Sequence, residues 1–98
     1  MPHYVYILAS LRGVLYTGST NNLTRRIDQH RASAHSSFAQ RYNVTKLVYT
    51  EVADSSEAAF SRERQIKGWK RDKKVALIES QNPYWQDLAK VGLLQAEV

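Results

Sequence analysis

A chain of 98 residues has room for one hydrophobic core and not for two. With 43% hydrophobic and 23% charged residues, long disorder and a fibrous repeat are excluded; the absence of cysteine excludes a disulfide framework, a thiolate metal site and a cysteine nucleophile. Fourteen Lys and Arg against nine Asp and Glu leave a net +5, a surplus that favours a polyanionic partner. The apolar runs, such as Val5 to Ala9 and Val75 to Ile78, fall far short of the roughly 20 residues of a membrane span. The start, Met1-Pro2-His3-Tyr4, lacks a charged segment followed by an apolar one. A cytoplasmic protein without membrane contact is therefore expected.

His3 to Ala9 is rich in β-branched and aromatic residues, as is Val14 to Ser19, and Ser10-Leu11-Arg12-Gly13 supplies a turn between them, so a hairpin is expected. Alternation places Tyr4, Tyr6 and Leu8 on one face of the first strand and Val14, Tyr16 and Gly18 on one face of the second, with the register open. Asn21 or Asn22 can cap a helix whose stripe runs Leu23, Ile27, His30, with Arg26 at its border and an end near residues 32–34. A Ser and Ala-rich loop follows to Phe38, then a third strand over Thr45 to Val52. Asp54 to Glu57 offers an N-cap and a carboxylate three residues on, opening a helix from Ala58 to Trp69. Gly68 is placed to stop that helix in the left-handed conformation, or the helix continues through Lys70. A last helix spans roughly Arg71 to Ser80, and Asn82-Pro83 ends it before a short turn at residues 84–88. The expected fold is α+β, a small three-stranded, mainly antiparallel sheet flanked by helices in the order β-β-α-β-α-α, over residues 1–88 with a tail at 89–98.

Tyr6, the Tyr16-Thr17-Gly18 step, Arg26 with His30 on one helix face, and Glu63 on a second helix form an inventory suited to phosphodiester hydrolysis. Such a reaction needs a water deprotonated, charge at phosphorus neutralised and a leaving alkoxide stabilised. A tyrosine serves as base only when its pKa, about 10 in solution, is depressed by positive charge or a metal, and Arg26 is placed to contribute. An arginine fork matches two phosphate oxygens. One carboxylate suffices for a mostly hydrated Mg²⁺, which keeps several waters. Gly18 lets a substrate backbone approach closely. The ordinary reading of Glu63 is an ion pair with Lys67 one turn on.

In order and spacing, Tyr4-Val5-Tyr6, Tyr16-Thr17-Gly18, Arg26, His30 and Glu63 resemble the GIY-YIG nuclease superfamily over roughly residues 3–88. Tyr4 stands where that family has the glycine of its first motif, and Thr17 replaces the isoleucine of its second. The resemblance implies that Tyr6 or Tyr16 helps activate water, Arg26 stabilises the phosphate, His30 assists, and Glu63 binds one Mg²⁺ or Mn²⁺. Asn82 is the candidate for an asparagine that the family carries late in the chain. The chain looks most like the small, single-domain bacterial group, some of whose members cleave single-stranded DNA, so the expected partner is DNA, single-stranded or branched.

Without an attached DNA-binding domain, the protein is expected to use its own surface. The segment Arg62 to Lys74 carries seven basic residues against Glu63 and Asp72, and Arg62, Lys67, Lys70 and Lys73 are its candidate phosphate contacts. Arg25, Arg41 and Gly18 are further candidates. Tyr42, Trp69 and Trp85 are possible stacking partners for unpaired bases. Two alternatives share these residues: a non-catalytic nucleic-acid-binding adaptor on the same fold, and an RNA nuclease.

Overall fold

Both faces of the first strand are buried, because its apolar residues do not alternate with polar ones as they would on a half-exposed strand. This strand, β1 (His3–Ala9), lies at the centre of a sheet ordered β2-β1-β3, with β2 at Leu15–Thr20 and β3 at Lys46–Ala53. The computed structural model describes residues 2–32 and 44–90. Both strand pairs are antiparallel, so the α+β expectation holds. The hairpin turns at Gly13, whose φ of +85° suits glycine, and Ser10 Oγ accepts from the N–H groups of Arg12 and Val14.

Three helices cover the sheet: α1 (Leu23–Ala32), α2 (Ser56–Lys67) and α3 (Arg71–Gln81). Val5, Ile7 and Ala9 face one core with Val48, Tyr49, Ala59, Ile66 and Ile78. Tyr6 and Leu8 face the other with Leu23, Ile27, Val44, Leu47 and Leu88. Alternation along β1 thus sends α2 and α3 to one layer and α1 to the opposite one.

Asn22 is the cap of α1, its Oδ1 accepting from Arg25 N at 3.1 Å. Two local expectations are corrected. The cap of α2 is Ser55, whose Oγ accepts from Ala58 N at 3.0 Å, so Glu57 sits too early to close a capping box with Asp54. Gly68 is right-handed at φ −79°, and the chain turns into α3 through an extended Lys70. The break there needs no left-handed residue. The expected loop through Phe38, with Arg41 and Tyr42, lies outside the described residues.

The outer edge of β3 is sealed by side chains. Between Ile7 and Leu8 the β1–β3 pairing shifts, leaving Val48 as the extra residue of a bulge. Asn82 Nδ2 donates to the Val48 carbonyl at 3.0 Å and to the Gln86 carbonyl at 2.8 Å, while its Oδ1 accepts from Gln86 N at 3.0 Å. Gln81 bonds both polar groups of Thr50, and Leu88 N donates to Leu47 O. Asn82, a candidate nucleic-acid contact, is 4% exposed, and its amide is spent on the bulge and the turn. Asn82→Ala, which orphans the Val48 carbonyl, is expected to cost about 2 kcal/mol, read as a lower midpoint in urea with an unchanged slope. An unaltered midpoint would show that the amide does not hold this edge.

Candidate active site

The second strand lies at the other edge of the sheet, and the predicted residues gather along it. Tyr6 pairs with Gly18 across the hairpin, and Leu8 with Tyr16. The register that the sequence left open thus places both tyrosines and the glycine on the α1 side. A Cβ at residue 18 would sit 2.5 Å from Tyr6 Oη and 3.1 Å from Tyr16 Cε1, so glycine is what lets the Tyr6 ring pass toward the strand edge. From α1, whose Leu23 and Ile27 are buried anchors, Arg26 and His30 project one turn apart to meet it. His30 Nε2 is 3.1 Å from Tyr6 Oη, and Arg26 Nε–H donates to the same oxygen at 3.4 Å. The Tyr16 ring lies edge-on to His30, 5.0 Å between centroids, and tilted against Tyr6 at 6.3 Å.

Burial and charge shift the titrating groups of this cluster in opposite directions. Burial pushes the Tyr6 phenol up to about 12, outweighing the lowering by its bond from Arg26. Arg26 does lower this tyrosine, as a neighbouring positive charge should, but burial raises it by more, so Tyr6 is not depressed overall. His30 is lowered from its ordinary 6.5, first by burial and then by the Arg26 charge. Both shifts favour the neutral forms of the pair, and the Tyr6 oxygen accepts from Arg26 while the His30 tautomer sets which of Tyr6 Oη and His30 Nε2 donates to the other.

That lowered pKa ties stability to pH. Between the folded-state pKa of His30 and 6.5, the unfolded chain binds the extra proton and the folded protein does not, so stability rises with pH. The contribution is complete above 6.5 and is lost as pH falls through that window. Urea midpoints measured from pH 5 to 7.5 should decline on the acid side in the wild type and decline less in His30→Gln. Equal slopes would place the titration elsewhere.

Glu63 reaches the same strand from the opposite layer. On α2, with Ala59 and Ile66 buried against the sheet, its Oε1 accepts from Ser19 Oγ at 2.6 Å and its Oε2 from Lys67 Nζ at 2.5 Å. The ordinary i, i+4 pair with Lys67 is therefore present, and Ser19 adds a tie to the strand residue beside Gly18. Its charge is felt by both Tyr6 and Arg26. Ser19 was not singled out in the sequence, although alternation after Gly18 turns it toward α2.

The donor set decides what kind of cation fits. Among the described residues, no three His, Cys, Asp or Glu side chains form a cluster, so a fully caged ion has no ligands here. The Glu63 side chain is 13% exposed, and its carboxylate has about four acceptor sites, of which Ser19 and Lys67 take two. This suits a mostly hydrated Mg²⁺ or Mn²⁺ held through one carboxylate once Lys67 yields.

The basic candidates divide. Arg25 and Arg26 line a polar cleft of about 250 Å³ with Thr20, Asn21, Asn22 and Gln29, directly beside the cluster. Lys67 is at Glu63, and Lys70 is exposed at the α2–α3 corner. Lys73 stacks over Trp69 at 4.3 Å. Arg62 is engaged within the protein: Nε and Nη2 bond Glu51, Nη1 bonds Gln65, and the guanidinium lies over Trp69 at 5.2 Å. Arg71 Nη1 is held by the Gly13 carbonyl.

No described helix is long and apolar enough to cross a membrane. A family model described as the GIY-YIG catalytic domain matches residues 2–76. A UPF0213 protein of Natronomonas pharaonis is 41% identical over 76 residues, 78% of this chain and 89% of that protein. A UPF0213 protein of Clostridium perfringens is 40% identical over 80 residues, 82% of this chain and 86% of its own length. The solution NMR structure of a UPF0213 protein from Bacillus halodurans superposes with a TM-score of 0.58 at 32% identity, covering 92% of this chain and 96% of the other.

Proposed function

This chain belongs to the GIY-YIG family, and from that premise we propose that it is a divalent-metal-dependent endonuclease that hydrolyses DNA phosphodiester bonds, with single strands as the favoured form. The observation that carries the reading is the meeting of two layers at β2. Arg26, His30 and the two tyrosines stand on one side of Gly18, and Glu63, tied through Ser19, stands on the other.

In the reaction a water attacks phosphorus and the bond to the leaving alkoxide breaks. Arg26 neutralises charge on the phosphoryl oxygens, its fork kept in place by Tyr6. Tyr6 is fully buried and acts by positioning Arg26 and His30. Tyr16 is only partly buried and is the tyrosine assigned to meet the attacking water. His30, which contacts both tyrosines, is the group assigned to receive the proton that the water loses. A Mg²⁺ or Mn²⁺ at Glu63 would supply further neutralisation of phosphate charge and a more acidic water.

Purified protein with Mg²⁺ or Mn²⁺ should cut at least one of a panel of end-labelled single-stranded, duplex, flap and branched DNA, and EDTA should stop it. A folded protein that leaves the whole panel intact with either ion would overturn the reading. Tight, salt-sensitive binding in that same experiment would favour the adaptor alternative, and cleavage confined to RNA competitors would favour an RNA nuclease.

A further inference from the structure

We infer that Phe60 is the platform on which an unpaired base of the bound DNA strand stacks, one helical turn from Glu63. This rests on the nuclease reading above and specifies the form of strand the site takes. The aromatic residues singled out in the sequence do not provide such a platform among the described residues. Trp69 is packed against the first core, with two cations, Lys73 and Arg62, over its ring. Trp85 packs against the core around Ile66 and Ile78, and its Nε1–H donates to Glu79 at 2.8 Å.

Phe60 is different in both exposure and place. It is 55% exposed on α2, three residues before Glu63, so the two side chains leave the helix as neighbours on one face. Its ring lines a cleft of about 280 Å³ with His3, Ser19, Thr20, Asn21 and Ala59, room for a flat ring lying on another. Ser19 is the residue whose hydroxyl holds Glu63. Thr20 and Asn21 also line the cleft that contains Arg25 and Arg26. The two clefts therefore meet at the end of β2, with the aromatic ring on one side, the arginines on the other and the Glu63–Ser19 tie beside the junction.

Charge supports the same occupant. The Arg64 guanidinium lies over the Phe60 ring, 5.6 Å from its centre; it is exposed and, among the described residues, makes no ion pair, so it is free to swing aside for a base. It is placed to meet a backbone phosphate next to a base lying on the ring. Bases inside a duplex are already stacked on both faces by their neighbours, so such a platform favours an unpaired strand.

The test measures affinity of the full chain in EDTA for a labelled mixed-sequence single strand and for the same sequence as a duplex. Phe60→Ala is expected to weaken single-strand binding about tenfold, the loss of one base stack, and duplex binding less than about twofold. Phe60→Trp should restore the single-strand affinity, with its added fluorescence quenched on binding. Circular dichroism melts confirm that each variant is folded. A Phe60→Ala protein that binds single strands as the wild type does, or that loses both forms equally, overturns the platform while wild-type cleavage leaves the nuclease reading standing. A folded wild type that neither binds nor cuts DNA overturns both.

Discussion

Glu63→Gln is expected to lower cleavage by about a thousandfold while leaving DNA affinity in EDTA essentially unchanged. The amide keeps the volume and an acceptor for Ser19 Oγ, so the tie between α2 and β2 survives. What disappears is the charge that a Mg²⁺ or Mn²⁺ would need and that Lys67 now faces. Lys67 is half exposed and can turn to solvent when the charge is gone, and an i, i+4 ion pair contributes only a few tenths of a kcal/mol, so thermal stability should hardly move. Loss of turnover with intact folding and binding separates a metal-ligand role from a structural one. Retention of more than about a tenth of wild-type cleavage would remove Glu63 from the chemistry. A direct check is Mn²⁺ binding followed by electron paramagnetic resonance, which the variant should lose.

Gly18→Ala is expected to damage both stability and catalysis. The new methyl would stand 2.5 Å from Tyr6 Oη and 2.6 Å from Tyr6 Cζ. Tyr6 has no room to retreat: its ring is fully buried and its hydroxyl is held by His30 and Arg26. Overpacking of this kind costs about 3 kcal/mol at the upper part of its usual range, which lowers the melting temperature of a domain this size by roughly 10–20 °C. A ring displaced by even about 1 Å carries Arg26 with it, and a misplacement of that order costs about a hundredfold in kcat. Both effects should be read well below the variant's melting temperature. A variant that melts and cleaves like the wild type would show that the Tyr6 ring does not lie over residue 18.

Gly18 also illustrates why part of the site was legible and part was not. Its glycine was expected to admit a substrate backbone, whereas the atom that approaches it is the Tyr6 hydroxyl. Local spacing could not reveal this, because the contact depends on which residue of β1 lies opposite. Arg26 and His30 were legible as neighbours, since three or four residues on a helix always share a face. The tie between Glu63 and Ser19 spans 44 residues of sequence and follows from how α2 crosses the sheet. Arg62 looked as available as Lys70 because both are basic residues on one helical run, yet Glu51 lies within 2.9 Å of Arg62.

The sequence by itself determined the element order, the helix stripe carrying Arg26 and His30, and the motif set shared with the GIY-YIG family. Those features are periodic or local, and short-range sterics and hydrophobic patterning are enough to specify them. Tertiary structure alone decided the strand register, the bulge that Asn82 bonds, the ion pair between Arg62 and Glu51, and the raised Tyr6 and lowered His30 pKa. Each of these depends on distances between residues remote in the chain and on how far a group is withdrawn from water, and neither quantity exists until the layers pack.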